Sequence, residues 1–227
     1  MFIISKLIDI FAREDTTFFS LIRSLSHFFY YFCLMIINIH THTPKQSEQT
    51  LSTIGIHPYH ASGASTDSIL SIERQALEFD AIGEIGLDYS CGVERDSQIL
   101  VFKAQLEVAQ QYNKGVVLHC VKAFEQIMDI LKKYRLKFVI FHGFIGSPEQ
   151  ALRATERGYY LSFGERTFRS PKSMEAMRAI PIDHLFLETD ESHVAIEDIY
   201  SKASEILALP KNMLEYIINE NFKHICG

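Results

Sequence analysis

Residues 35–227 predict a parallel α/β barrel, distorted, with one βα unit missing near its N-terminus. Three observations carry that expectation. Short apolar runs alternate with longer helical stretches along the chain, the pattern of βαβ units around a parallel sheet. His40, His57, Glu84, His119, His142 and Asp190 each fall at or near the C-terminal end of a predicted strand. Those ends converge on one face of a barrel, whereas an open sheet spreads them along an edge too long for one site. Finally, only about ten residues, TPKQSEQTLS, separate His42 from the next strand, too few for a crossover helix of ordinary length.

The predicted strands, in order, are MIINIH (35–40), TIGIH (53–57), AIGEIGLD (81–88), GVVLHC (115–120), KFVIFH (137–142), GYYLSF (158–163) and HLFLET (184–189). Each is bounded by turn residues and rich in Ile, Val, Leu, Phe or Tyr, as strands buried on both faces should be. Helices are expected at 67–79, 95–112, 123–134, 148–157, 171–179, 195–207 and 211–224. The seven strands are one short of a complete eight-stranded barrel.

At 227 residues the chain is long enough for a full core and reads as one domain from residue 35 onward. Its net charge of −6 argues against a protein that coats nucleic acid, which needs a strongly basic surface. An enzyme whose bound cations neutralise phosphate locally is not excluded. Cys33, Cys91, Cys120 and Cys226 have no regular spacing and read as reduced thiols of a cytoplasmic protein. Residues 1–34 hold seven of the 17 Phe, yet Lys6, Asp9, Arg13, Glu14, Asp15 and Arg23 interrupt them, so no membrane span is expected. The segment reads as a mis-assigned extension ahead of a start at Met35, with a membrane-surface helix as the alternative.

The central stretch is AIGEIGLDY, residues 81–89. Glu84 stands in an apolar run, where an unpaired carboxylate is costly to bury, and flanking glycines allow close backbone approach. It either holds metal at the barrel mouth or caps a helix. His40 and His42 lie on one side of an extended segment and can reach one ion, although such a pair is often structural. His119 and His142 end apolar strands, where a satisfied core histidine is the alternative. Asp190 could be a helix N-cap. The metal reading rests on the whole set at five strand ends.

Six ordered motifs carry a resemblance: IHTH (39–42), GIHP (55–58), GEIGLDY (83–89), VLHC (117–120), FHGFIGS (141–147) and ETD (188–190). From Met35 to its end the chain resembles the TatD family of metal-dependent hydrolases. The resemblance implies a TIM-type (β/α) barrel, two divalent metal ions and hydrolysis of phosphodiester bonds, often as a deoxyribonuclease or exonuclease. It implies that His40 and His42 bind one ion, that Glu84 bridges both, and that His119 and His142 hold the second. Asp190 would complete the first ion's ligands and contact the attacking water, which makes Asp190 and Glu84 the catalytic carboxylates; His57 would lie in the substrate cleft. Four imidazoles and two carboxylates suit Zn, Mn or Co better than Mg, which prefers more oxygen. Asp88 is expected to orient a ligand or cap a helix.

Two departures bear on the substrate. Pro44 stands where the family usually has an acid, and ESHVAIEDI follows ETD where the family has a proline-rich loop. Phosphate also needs cations, and Lys122, Arg166, Arg169 and Lys172 are the candidates. Nucleic acid is therefore the expected substrate, with no stable protein partner, and with membrane contact only through residues 1–34. Two alternatives are hydrolysis of amide or ester bonds on a small or tRNA-linked substrate, and a barrel that binds without catalysis.

Overall fold

The alternation of apolar runs and helical stretches is realised as a ring of parallel strands wrapped by helices. A computed structural model describes residues 35–227; the expectations for residues 1–34 lie outside the described residues. The strands are β1 (Ile36–Ile37), β2 (Glu48–Gln49), β3 (Thr53–Ile54), β4 (Ala81–Asp88), β5 (Gly115–Val121), β6 (Val139–Phe141), β7 (Tyr160–Phe163) and β8 (Leu185–Leu187). Helices are α1 (Thr66–Gln75), α2 (Arg95–Gln111), α3 (Phe124–Leu131), α4 (Pro148–Thr155), α5 (Pro171–Ala179), α6 (Ile196–Leu207) and α7 (Lys211–Cys226).

Strands β3 to β8 pair in sequence order, all parallel, and β1 pairs parallel with β2. Residues 48–54 hold β2 and β3 on one extended stretch with two partners. Its first half bonds to the first strand, through Asn38 N–H to Gln49 O (2.9 Å) and Leu51 N–H to Ile39 O (3.5 Å). Its second half bonds to the start of β4, through the Asp80 and Ala81 N–H groups to Ser52 O (3.0 and 3.2 Å). At the other side of the first strand, Ile39 N–H donates to Leu187 O (3.1 Å) and Asp190 N–H to His40 O (3.1 Å). Backbone hydrogen bonds thus run right round the barrel, and the first connection carries no helix, as the short gap predicted.

Local signals explain where the helices begin. Ser65 with Ser68, and Ser147 with Gln150, form reciprocal capping boxes at α1 and α4, each satisfying two otherwise orphaned N–H groups. Pro148 and Pro171 occupy the first turn of α4 and α5, where a missing N–H costs nothing. Phe102, Phe141, Phe163, Phe186 and Tyr200 are fully buried. The Tyr200 hydroxyl, on α6, donates to Ile37 O at 2.9 Å and ties that helix to β1.

One buried polar knot fixes the seam where the last strand meets the first. The Asn38 amide donates to Glu48 Oε2 (2.8 Å) and to Thr189 Oγ1 (2.9 Å), and its oxygen accepts from Thr189 N–H (2.9 Å). Asn38 is wholly inaccessible to solvent. Removing it would leave Glu48 Oε2 and the Thr189 N–H without their partners, the carboxylate keeping only Lys45 Nζ at 3.4 Å from Oε1. Asn38→Ala should therefore cost about 2–4 kcal/mol, read as a shift of the urea midpoint. A shift below about 0.5 kcal/mol, as for an ordinary surface change, would remove the knot from the account.

Candidate metal centre

Strands β4 and β5, with the segments that follow β1, β3, β6 and β8, bring His40, His42, His57, Glu84, His119, His142 and Asp190 onto one cleft of about 600 Å3. Glu84 is the hub, though it lies in the middle of β4 rather than at its end. There the β4–β5 register breaks, between Ile82 and Ile85. Gly86, at φ +136°, sits so close to β5 that a Cβ there would meet His119 O at 2.1 Å, which is why no side chain fits beside Glu84. Asp190 adopts a left-handed conformation, φ +53°, sparsely populated for residues other than glycine.

The two oxygens of Glu84 face different partners. Oε1 lies 2.7 Å from His119 Nδ1, 2.5 Å from His142 Nε2 and 3.4 Å from His57 Nε2. Oε2 lies 3.4 Å from His40 Nε2 and 3.7 Å from His42 Nε2. Asp190 Oδ1 stands on that second side, 3.5 Å from His42 Nε2 and 3.9 Å from His40 Nε2. Three overlapping groups have ligand atoms close enough for a shared ion: His40, His42 and Glu84; His40, His142 and Asp190; His57, Glu84 and His119.

The donor set fits divalent cations. His40 Nε2 is buried without a hydrogen-bond partner, and orphaned buried polar atoms are costly. An ion between it, His42 and the carboxylates would satisfy it. Behind the cluster, two carboxylates hold the imidazoles in place. His119 turns Nε2 to Asp88 Oδ2 at 2.9 Å, and Asp88 Oδ1 accepts from the Ser90 N–H and hydroxyl and from Cys91 N–H. His142 turns Nδ1 to Glu188 Oε1 at 3.4 Å, and the Ser162 hydroxyl donates to Glu188 Oε2. Such outer partners orient a ligand ring and raise its basicity. Asp88 thus orients the His119 ring. Glu188 escaped the sequence reading as a functional residue; its signal was an acid two positions before Asp190, on the same side of an extended chain.

Charge balance in the cluster follows from this geometry. Burial alone would push the Glu84 carboxyl up, but hydrogen bonds from His119 and His142, with His40 and His57 each 3.4 Å away, outweigh it and hold it well below the ordinary range. Asp88 is likewise opposed by burial, yet Ser90 and His119 hold it at about 2. For His142, burial lowers the value while Glu188 and Glu84 raise it further, leaving it well above that of a free imidazole. Asp190 is raised, chiefly by burial. Burial also pushes the neighbouring Cys120 thiol up to about 12.

The predicted phosphate contacts divide. Arg166 lines the metal cleft. Lys122 and Lys172 line a second cavity of about 720 Å3 that shares Cys120, Val121, His142 and Ile145 with the first. Arg169 lines neither cavity and pairs with Glu165 instead. Tyr59, absent from the sequence reading, stands in the cleft with its ring 4.4 Å from that of His57.

The family model described as TatD related DNase matches residues 35–227. The chain belongs to the TatD family. It is 30% identical over 200 residues to a putative deoxyribonuclease TATDN1 homolog of Enterocytozoon bieneusi, an alignment covering 82% of this chain and 72% of the relative. It is 34% identical over 149 residues to a 3'-5' ssDNA/RNA exonuclease TatD of Erwinia tasmaniensis, covering 61% of this chain but only 57% of that protein. Among solved structures, the TatD homolog YJJV of Escherichia coli superposes with a TM-score of 0.72 at 24% identity, covering 80% of this chain and 78% of that one. A TatD family hydrolase of Entamoeba histolytica gives 0.68 at 20%, covering 79% and 75%. These two neighbours establish the TIM-like barrel fold. Among the described residues, no helix is long and apolar enough to cross a membrane.

Two predictions follow from the network. Asp88→Asn and Glu188→Gln should each weaken divalent-ion affinity about 10–100-fold, measured by competition with a chromogenic chelator; unchanged affinity would deny them an orienting role. The second concerns pH. The raised His142 favours the protonated form in the folded chain. Its contribution to stability is full below its unfolded value and is lost as pH rises through the folded one. Chelator-treated protein should therefore unfold at lower temperature at pH 9 than at pH 6, and added Zn or Mn should restore more stability at pH 9. A metal-free melting temperature that rises from pH 6 to pH 9 would contradict this.

Proposed function

We propose that residues 35–227 form a divalent-metal-dependent hydrolase of phosphodiester bonds, acting on nucleic acid in the cytoplasm as a TatD-type deoxyribonuclease or exonuclease. The observation that carries this reading is the split of Glu84, one oxygen toward His119 and His142 and the other toward His40 and His42. That is the arrangement of a carboxylate bridging two ions. His40, His42, Glu84 and Asp190 would hold one, and Glu84, His119 and His142 the other, with Zn, Mn or Co suited to the mixed nitrogen and oxygen donors.

Paired divalent ions supply the acidified water and the clamp on phosphoryl oxygens that in-line displacement requires. The chain's own residues do the rest. Asp190, on the Oε2 side of Glu84 and raised by burial, accepts the proton of the attacking water at its carboxylate. With ions bound, Asp88 and Glu188 would keep the ring protons of His119 and His142 on the far nitrogens, so that lone pairs would face the ions. Arg166 on the first cavity, and Lys122 and Lys172 on the second, meet phosphates of the chain. A net charge of −6 makes those local cations necessary. The shared wall of the two cavities gives a strand room beyond the scissile phosphate.

The test is cleavage of an end-labelled single-stranded oligonucleotide by the full chain with Mg, Mn or Zn. Cleavage should vanish with chelator and fall more than about 100-fold in Glu84→Ala. Lys122→Ala and Arg166→Ala should raise KM several-fold with little change in kcat, because they bind substrate and transition state alike. Cleavage surviving both chelation and Glu84→Ala would defeat the proposal, as would no cleavage with any ion; the latter turns attention to amide or ester substrates.

A further inference from the structure

The second cavity, of about 720 Å3, has walls unlike those of the metal cleft. Of its lining residues, only His142 belongs to a group with ligand atoms close enough for a shared ion. Much of its lining is aromatic. Phe124 contributes, with its ring centroid 5.6 Å from that of Phe141 and 6.3 Å from that of Phe144, and both of those line the cavity too. Ile145 lines both cavities and is 44% exposed, an apolar side chain left to solvent where the two meet. Tyr89 forms another part of the wall. It follows β4, and its N–H donates to Val121 O at 2.9 Å, which carries the β4–β5 pairing one residue further and fixes where the ring stands. Arg95, the first residue of α2, lays its guanidinium over that ring, 4.4 Å from the centroid.

The charges around this cavity are of one sign. Arg95, Lys122 and Lys172 line it, and among the described residues none of the three has an ion pair or a hydrogen bond from its side chain. The acid on its lining, Glu125, is held by Arg153 through two bonds of 2.7 and 2.8 Å. Lys122 also adopts a left-handed conformation, φ +52°, sparsely populated for a residue with a side chain and of a kind that gathers at ligand sites. A free phosphate has no use for three phenylalanines and a tyrosine. A neutral apolar ligand has no use for three unpaired cations. A flat heterocycle that carries phosphate uses both, and the volume lies within the roughly 300–1,000 Å3 of small-ligand sites. One plane of the Arg95 guanidinium covers Tyr89, and its other plane is free to stack.

We propose that the second cavity is a nucleobase subsite, in which the base of a nucleotide next to the scissile phosphate stacks against the Tyr89–Arg95 pair. The inference rests on the phosphodiesterase reading above and adds a contact to the base where that reading has contacts to phosphate alone. No bond is made or broken there. Stacking of this kind accepts any base, because each has a π-face, so the subsite sets how firmly the strand is held and not which sequence is cut.

The experiment uses the Mn-loaded full chain and a series of end-labelled single-stranded oligonucleotides. In each, one abasic residue replaces a nucleotide at a successive position beside the bond that is cut. At one position the missing base should lower kcat/KM about 5–100-fold, the range expected for one stacked base. That intact-to-abasic ratio should persist in Tyr89→Phe, which keeps the ring, and should fall to about 2 or less in Tyr89→Leu and in Arg95→Ala. The ratio does not depend on how much of a variant is folded, since misfolding lowers both rates alike. Wild-type cleavage with no position sensitive to loss of its base would overturn the inference alone, as would a ratio unchanged in Tyr89→Leu and Arg95→Ala. A wild-type chain inert toward every strand would overturn the nuclease reading and this inference together.

Discussion

Everything at the active end of this barrel depends on one carboxylate that cannot stand alone. Glu84 is about nine-tenths buried in an apolar strand, where an unpaired charge would be far too costly. The fold answers by aiming five imidazoles at it from four other segments of the ring. Those rings are in turn fixed by Asp88, Glu188 and a backbone amide. The centre is thus a set of donors converging on a single carboxylate, and His40 Nε2, buried without a hydrogen-bond partner, marks the place where protein groups alone do not close it.

The same constraint reaches into the scaffold. His40 and His42 come from the first strand and Asp190 from the last, so their side of the site exists only if that seam closes. Asn38 and Thr189 close it with buried hydrogen bonds two residues below His40 and one below Asp190. The glycines beside Glu84 do the equivalent for β4 and β5, where Gly86 lets the backbones approach more closely than any side chain permits. Stability and chemistry therefore share residues at this end of the barrel.

Most of the fold was legible because parallel strands buried on both faces read as plain apolar runs. All seven expected runs contain a strand, and the helix expected at 171–179 matches α5 to the residue. Strand β2 was missed because Glu48 and Gln49 look like loop; the chain is held there by backbone pairing with β1 and by the Asn38–Glu48 bond, neither visible in local composition. The metal-capable residues were legible as a set, since acids and imidazoles are conspicuous among Ile, Val and Leu. Their partners were harder. Glu188 looked like a spacer before Asp190, and nothing in the GIHP motif says that the Tyr59 N–H would donate to His57 Nδ1. Arg169 read as a phosphate contact by position after β7, but in three dimensions Glu165, one helical turn away, takes its charge.

The claim on which the rest hangs is that Glu84 joins two cations. Crystals of the full chain soaked in Mn, with anomalous scattering recorded at its absorption edge, test it directly. The account predicts two peaks about 3.5–4 Å apart, one beside His40, His42 and Asp190, the other beside His119 and His142, each with a Glu84 oxygen in contact. A single peak, or two peaks of which one makes no contact with Glu84, would contradict it.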